Sequence, residues 1–119
     1  MSTVLVIDDI DFTRETICTI LTRNGFEVLQ AVNGKDGLDE FKRNDPDLVL
    51  TDILMPEMEG LETIKTIKRL KPETPIIAIT GSTNSPFLQI AMQFGASTGI
   101  FKPFKQDELL KVVNKYIKK

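Results

Sequence analysis

Apolar residues gather in five short runs, separated by longer stretches in which they recur every three or four positions. The runs at 3–7 (TVLVI), 28–31, 48–51 and 76–80, and a weaker one at 98–101, predict strands. The first, third and fourth are apolar nearly throughout, the pattern of parallel strands covered on both faces. Between them the periodicity is helical. Over 12–24 it puts Ile17, Ile20, Leu21 and Asn24 on one side, and Gly25 follows as a C-terminal glycine. Asn33 is placed to cap a helix over 34–43, although Gly37 inside it should cost about 1 kcal/mol relative to alanine. Leu61, Ile64, Ile67 and Leu70 form a third stripe that stops before Pro72 and Pro75. Ser85-Pro86 suits the start of a fourth helix ending at Gly95. Leu109, Leu110, Val113, Tyr116 and Ile117 mark a last helix running to the C-terminus.

Five strand–helix pairs in strict alternation predict an α/β fold with a parallel sheet and right-handed crossovers. In so short a chain the flavodoxin-like (βα)5 doubly wound order 2-1-3-4-5 is favoured. With 119 residues and no linker or repeat, one domain over 1–119 is expected, with no output domain.

Charge and composition narrow the function. Fifteen Lys and Arg against 17 Asp and Glu remove the electrostatic case for a nucleic-acid binder. The absence of histidine excludes His-based catalysis and His-ligated metals. Cys18, the one cysteine, cannot form an internal disulfide and is expected to be an inert structural thiol. No long apolar run or signal-peptide pattern is present, so a cytoplasmic location without membrane contact is expected.

The chemistry is expected at the carboxyl ends of the strands. The first strand runs into Asp8-Asp9, the third into Asp52, the fourth into Thr80 and the fifth into Lys102-Pro103. In the order 2-1-3-4-5 these strands are contiguous, so the groups converge on one edge. Taken singly, each has a plainer explanation: Asp8-Asp9 as turn and cap residues, Asp52 as a turn entry, Thr80 as a strand former, Lys102 as a solvated lysine. Their coincidence at the right ends of the right strands is what points to a site. Two carboxylates about 5 Å apart repel by roughly 3 kcal/mol at an effective dielectric near 20. One lysine is too little compensation, and an oxygen-only donor set calls for a hard divalent cation, Mg2+ in preference to Ca2+. Phosphoryl transfer uses such parts: an in-line nucleophile (Asp52), a metal, and donors for the phosphoryl oxygens (Lys102, Thr80).

Four segments, VLVIDDIDFTR at 4–14, DLVLTDILMPEMEG at 47–60, IIAITG at 76–81 and FGASTGIFKPF at 94–104, resemble the receiver domain of two-component response regulators of the CheY type. The likeness spans the whole chain. It implies a phosphoprotein in which Asp52 accepts a phosphoryl group from a histidine kinase or a histidine phosphotransfer protein. It also implies Mg2+ bound directly by Asp9, Asp52 and the Leu54 backbone carbonyl, with Asp8 acting largely through water. Thr80 and Lys102 would hold the phosphoryl oxygens, and the Lys102–Pro103 bond would be cis. Met55-Pro56 and Gly60 would shape the loop after the nucleophile. Such a domain is not an enzyme toward other substrates; it catalyses only its own phosphorylation and dephosphorylation.

Departures from the family pattern bear on output. Gly99 stands where receivers usually carry Tyr or Phe, so an aromatic switch at that position is impossible. Phe101 shares that side of its strand, and a plain core role is expected of it in preference to a substitute switch. Leu54 and Ser82 occupy positions that tune phosphoryl lifetime in the family, and an apolar Leu54 cannot orient an attacking water. In the fourth helix Phe87, Ile90, Ala91 and Phe94 make one apolar face, while Leu88 and Met92 add more. A downstream partner is therefore expected on the fourth helix, fifth strand and fifth helix. Lys111, Lys115, Lys118 and Lys119 read as a solvated face that suits the helix dipole. Arg14 is expected to face solvent or pair with an acid such as Asp11, and is not assigned to the site.

A haloacid dehalogenase-type phosphatase, the main competing class, would need an acid two residues after its nucleophile, where this chain has Leu54. An FMN-binding flavodoxin would need a phosphate loop after the first strand, where Asp8-Asp9 would instead repel the phosphate. A receiver-like binder that is never phosphorylated is disfavoured because every acceptor-site residue is present.

Overall fold

In the computed structural model residues 2–55, 59–81 and 86–117 are described. Strand β1 (Thr3–Ile7) leads to helix α1 (Asp11–Arg23), and β2 (Glu27–Ala31) to α2 (Gly34–Asn44). Then come β3 (Leu48–Asp52) and α3 (Glu59–Leu70), β4 (Ile76–Thr80) and α4 (Phe87–Phe94), and β5 (Thr98–Phe101) and α5 (Gln106–Tyr116). The strands form one sheet in the order β2-β1-β3-β4-β5, and every neighbouring pair is parallel. This is the flavodoxin-like arrangement expected from the alternation.

Strand alternation sends successive side chains to opposite faces and so divides the core in two. Leu5, Ile7, Val49, Ile76 and Ala78 pack under α2, α3 and α4, with Phe41, Leu61, Ile64, Ile67 and Ala91. Val4, Val6, Leu48, Leu50, Ile77, Ile79 and Ile100 pack under α1 and α5, with Ile17, Leu21, Leu109 and Val113. β1, β3 and β4 are buried almost throughout, which accounts for their near-continuous apolar sequences.

Local signals act largely as expected. The Asn33 side chain accepts a hydrogen bond from the Asp36 N–H at 2.8 Å and caps α2. Gly25 follows α1 at φ +90° and Gly95 ends α4 at φ +121°, both in the region that favours glycine. Gly37 has a packing reason: a Cβ there would lie 2.4 Å from Ile7 Cδ1, so α2 rests on β1 more closely than a side chain permits. Pro86 precedes α4 with helical dihedrals; its expected cap Ser85 lies outside the described residues, as do Pro56, Ser82, Lys118 and Lys119.

Some expectations shift. β3 extends through Asp52 because the ladder continues: Asp52 stands opposite Ile79, and the Ile53 N–H donates to the Ile79 carbonyl at 3.1 Å. α5 ends at Tyr116, because the backbone turns extended at Ile117, whose side chain is buried. Leu70, last in the α3 stripe, is half exposed where the helix runs off the sheet. Phe101 is not a core residue: it sits on the edge strand and is 36% exposed. No helix among the described residues is long and apolar enough to cross a membrane.

Candidate functional site

The three central strands deliver their last residues to one end of the sheet. Asp8 follows β1 and is fully buried. Its N–H extends the β1–β2 ladder to the Ala31 carbonyl at 3.1 Å. Its Oδ1 accepts from the Ile10 N–H at 2.9 Å, the side-chain turn typical of aspartate. The next residue, Asp9, is exposed. Asp52 ends β3 at 3% exposure, and its Oδ1 accepts from the Leu54 N–H at 3.2 Å.

Lys102 closes the group from the far side. Its N–H donates to the Thr80 carbonyl at 2.8 Å, prolonging the β4–β5 ladder. Its ammonium lies 3.3 Å from Asp8 Oδ2 and 3.5 Å from Asp52 Oδ2. The Lys102–Pro103 peptide bond is cis, as the family resemblance implied. Thr80 is buried at the end of β4, one residue beyond Ile79, the register partner of Asp52. The Leu54 side chain is 44% exposed at the rim.

One carboxylate oxygen from each of Asp8, Asp9 and Asp52 falls within 4.8 Å of the others. Three negative charges against one ammonium leave a deficit that a divalent cation would cancel, and an all-oxygen set suits a hard ion. The residues therefore fit a metal. The electrostatics without one are uneasy: burial raises the Asp52 pKa above its ordinary value, Asp8 raises it further, and Lys102 opposes both.

The floor of the site is backbone. A Cβ on Gly60, in the first turn of α3, would lie 2.3 Å from the Asp52 carbonyl oxygen and 2.6 Å from Ile53 Cα. Glycine there lets α3 begin directly against the peptide that carries Asp52. Glu59, beside it, reaches across to α2, where its Oε1 accepts from the Gly34 and Lys35 N–H groups. A carboxylate at a helix N-terminus is favourable, and it ties the start of α3 to the start of α2. Nothing in the sequence pattern marked Glu59 for this.

Arg14 bears out one of its two expected settings and overturns the other. It does pair with Asp11, at 2.7 Å, but it is buried to 7% exposure, not solvated. Its Nη1 donates to the Asp8 carbonyl at 2.9 Å and its Nε to Gln30 Oε1 at 3.1 Å. A signal was available. Arg14 lies three, four and seven residues before Ile17, Cys18 and Leu21, on the face of α1 that packs inward. Arg14 is also an electropositive neighbour for Cys18, yet burial prevails and raises the thiol to about 11. Cys18 is therefore a protonated, unreactive thiol near neutrality.

Residues 4–114 match the family described as the response regulator receiver domain. The chemotaxis protein CheY of Bacillus subtilis is 40% identical over 113 residues, covering 94% of both chains. The sporulation initiation phosphotransferase F of the same species is 32% identical over 114 residues, 96% of this chain and 92% of that one. The solved structure of the chemotaxis response regulator CheY4 of Vibrio cholerae superposes with a TM-score of 0.90 at 31% identity, covering 98% of this chain and 99% of that one. None of these findings supports a haloacid dehalogenase-type phosphatase.

Proposed function

The chain belongs to the response regulator receiver family of two-component signalling, and we propose that it is a switch phosphorylated on Asp52. The observation that carries this reading is the meeting of Asp8, Asp9 and Asp52 within 4.8 Å, with the Lys102 ammonium against two of them. Among the donors, Asp9 and Asp52 would hold Mg2+ directly together with the Leu54 carbonyl, and Asp8 through water. When bound, Mg2+ neutralises the carboxylates and the incoming phosphoryl oxygens.

The chain's own groups do the rest. An Asp52 carboxylate oxygen attacks the phosphorus of a phosphohistidine on a histidine kinase or phosphotransfer protein. The new O–P bond forms as the P–N bond breaks, and the electron pair leaves with the imidazole. Lys102, released from its two carboxylates, and the Thr80 hydroxyl hold the oxygens of the acyl phosphate. The catalysis is confined to this chain's own modification and its reversal.

Output by partner binding is proposed for α4, β5 and α5. Met92 of α4 is 43% exposed, and Phe101, 36% exposed, lines a groove between β5 and α5 together with Gly99, Lys111, Val112 and Tyr116. Onward transfer to a second histidine fits the same site, and the relatives include both a chemotaxis protein and a phosphotransferase.

Incubation with Mg2+ and a small acyl phosphate, followed by intact-mass measurement, tests the chemistry. A gain of one phosphoryl group that Asp52→Asn abolishes is expected, and no gain would overturn the reading. Loss of that group to an added histidine phosphotransfer protein would favour the relay over the binding switch.

A further inference from the structure

We propose that Arg14 is a positioning residue for the metal-binding carboxylates, acting through the peptide that joins Asp8 to Asp9. The inference deepens the proposed function and rests on its reading of the acidic cluster as a divalent-cation site.

The two neighbouring acids have different settings. Asp8 is held at every polar group: its N–H on Ala31, its Oδ1 under the Ile10 N–H, its Oδ2 by Lys102 and its carbonyl by Arg14. Asp9 is exposed. The Asp8 carbonyl belongs to the peptide plane that sets the direction in which the Asp9 side chain leaves the chain. Arg14 holds that plane. It is a buried guanidinium with its Nε on Gln30 of β2 and its Nη2 on Asp11, so it cannot swing away. Three acceptors on three segments fix one planar fork, which a lysine cannot imitate. Arg14 contributes no atom to the metal. It determines where the Asp9 carboxylate stands relative to Asp52.

Outer partners of metal ligands are commonly worth about ten- to a hundredfold in affinity. The test titrates the full chain with Mn2+ and counts free ion by electron paramagnetic resonance, on protein shown by circular dichroism to be folded. Arg14→Met, which keeps an apolar stem, should weaken Mn2+ binding about tenfold or more. Arg14→Lys, able to reach the carbonyl but not all three acceptors, should recover part of the loss. Asp11→Asn removes the rim ion pair, leaves the Asp8 contact, and should stay within about twofold of the parent. A folded Arg14→Met with unchanged affinity would overturn the proposal, since a merely structural arginine would lower stability and leave metal binding on the folded chain untouched. So would an Asp11→Asn loss as large as that of Arg14→Met. If Arg14→Met does not fold, Arg14→Lys decides alone, with parental affinity counting against the proposal. A parent chain that binds no Mn2+ would overturn the metal reading and this inference together; a parent that binds, matched by Arg14→Met, would overturn this inference only.

Discussion

Two glycines in this molecule face the same geometric problem and differ in what surrounds them. At Gly60, under Asp52, an added Cβ would meet the Asp52 carbonyl and Ile53 Cα; at Gly99, on the edge strand, it would meet Leu88 Cδ1, also at 2.3 Å. Backbone in a central strand has nowhere to go. The end of a half-buried leucine on an eight-residue helix can rotate away. The floor of the acidic site is thus built of parts that do not yield, and the α4–β5 edge of parts that do. The proposed chemistry, which needs carboxylates held in place, would sit on the first, and a surface that must change with its partner would sit on the second.

The largest effect is expected from breaking the rigid side. Gly60→Ala should lower stability by about 2–3 kcal/mol, the cost of overpacking against atoms that cannot move, while Gly99→Ala should cost under about 1 kcal/mol. Urea unfolding midpoints of the two variants make the check. Equal costs would remove the contrast between the two regions.

A smaller effect concerns the charge on the rigid side. Burial raises the Asp52 pKa in the folded, metal-free protein, so between the unfolded and folded values the native state holds more protons than the unfolded one. Stability then falls as pH rises through that window, and above it the buried charge stays as a penalty. Asp52→Asn should therefore raise the melting temperature at pH 7 without divalent ions, and the gain should vanish below about pH 3.8, the ordinary value for an aspartate carboxyl. Added Mg2+ should stabilise the parent and not the variant.

At the rim, Leu54→Asn should shorten the lifetime of the phosphorylated form, followed by loss of the added mass with time. The exposed leucine offers an incoming water no hydrogen bond, whereas an amide does. The smallest structural effect belongs to the yielding edge. Met92→Lys should change stability by less than about 0.5 kcal/mol, as surface substitutions do, while weakening capture of a phosphorylation-dependent partner.

The same contrast governs what could be read from the sequence. Buried parallel strands write themselves as apolar runs, and a doubly wound sheet brings their final residues to one edge. The sequence alone therefore places Asp8, Asp9, Asp52 and Lys102 together. Arg14 does pair with Asp11, one of the two settings expected of it, but its spacing to Ile17, Cys18 and Leu21 also puts it on the buried face, which its charge alone does not indicate. Phe101 departs from the core role expected of it. An apolar ring on a strand predicts core, but β5 is an edge strand, and on the face Phe101 shares with Gly99 the glycine is half-buried and the ring exposed. Glu59 left no pattern at all, since a carboxylate reaching the amides of another helix depends on packing between elements far apart in the chain.

Whether Asp9 and Asp52 share one divalent cation beside Lys102 can be read from an amide proton–nitrogen spectrum recorded during a Mg2+ titration. Saturating shifts centred on residues 8–10, 52–54 and 102, lost in Asp52→Asn, are expected. Shifts absent from these residues, or unchanged in that variant, would contradict a shared cation.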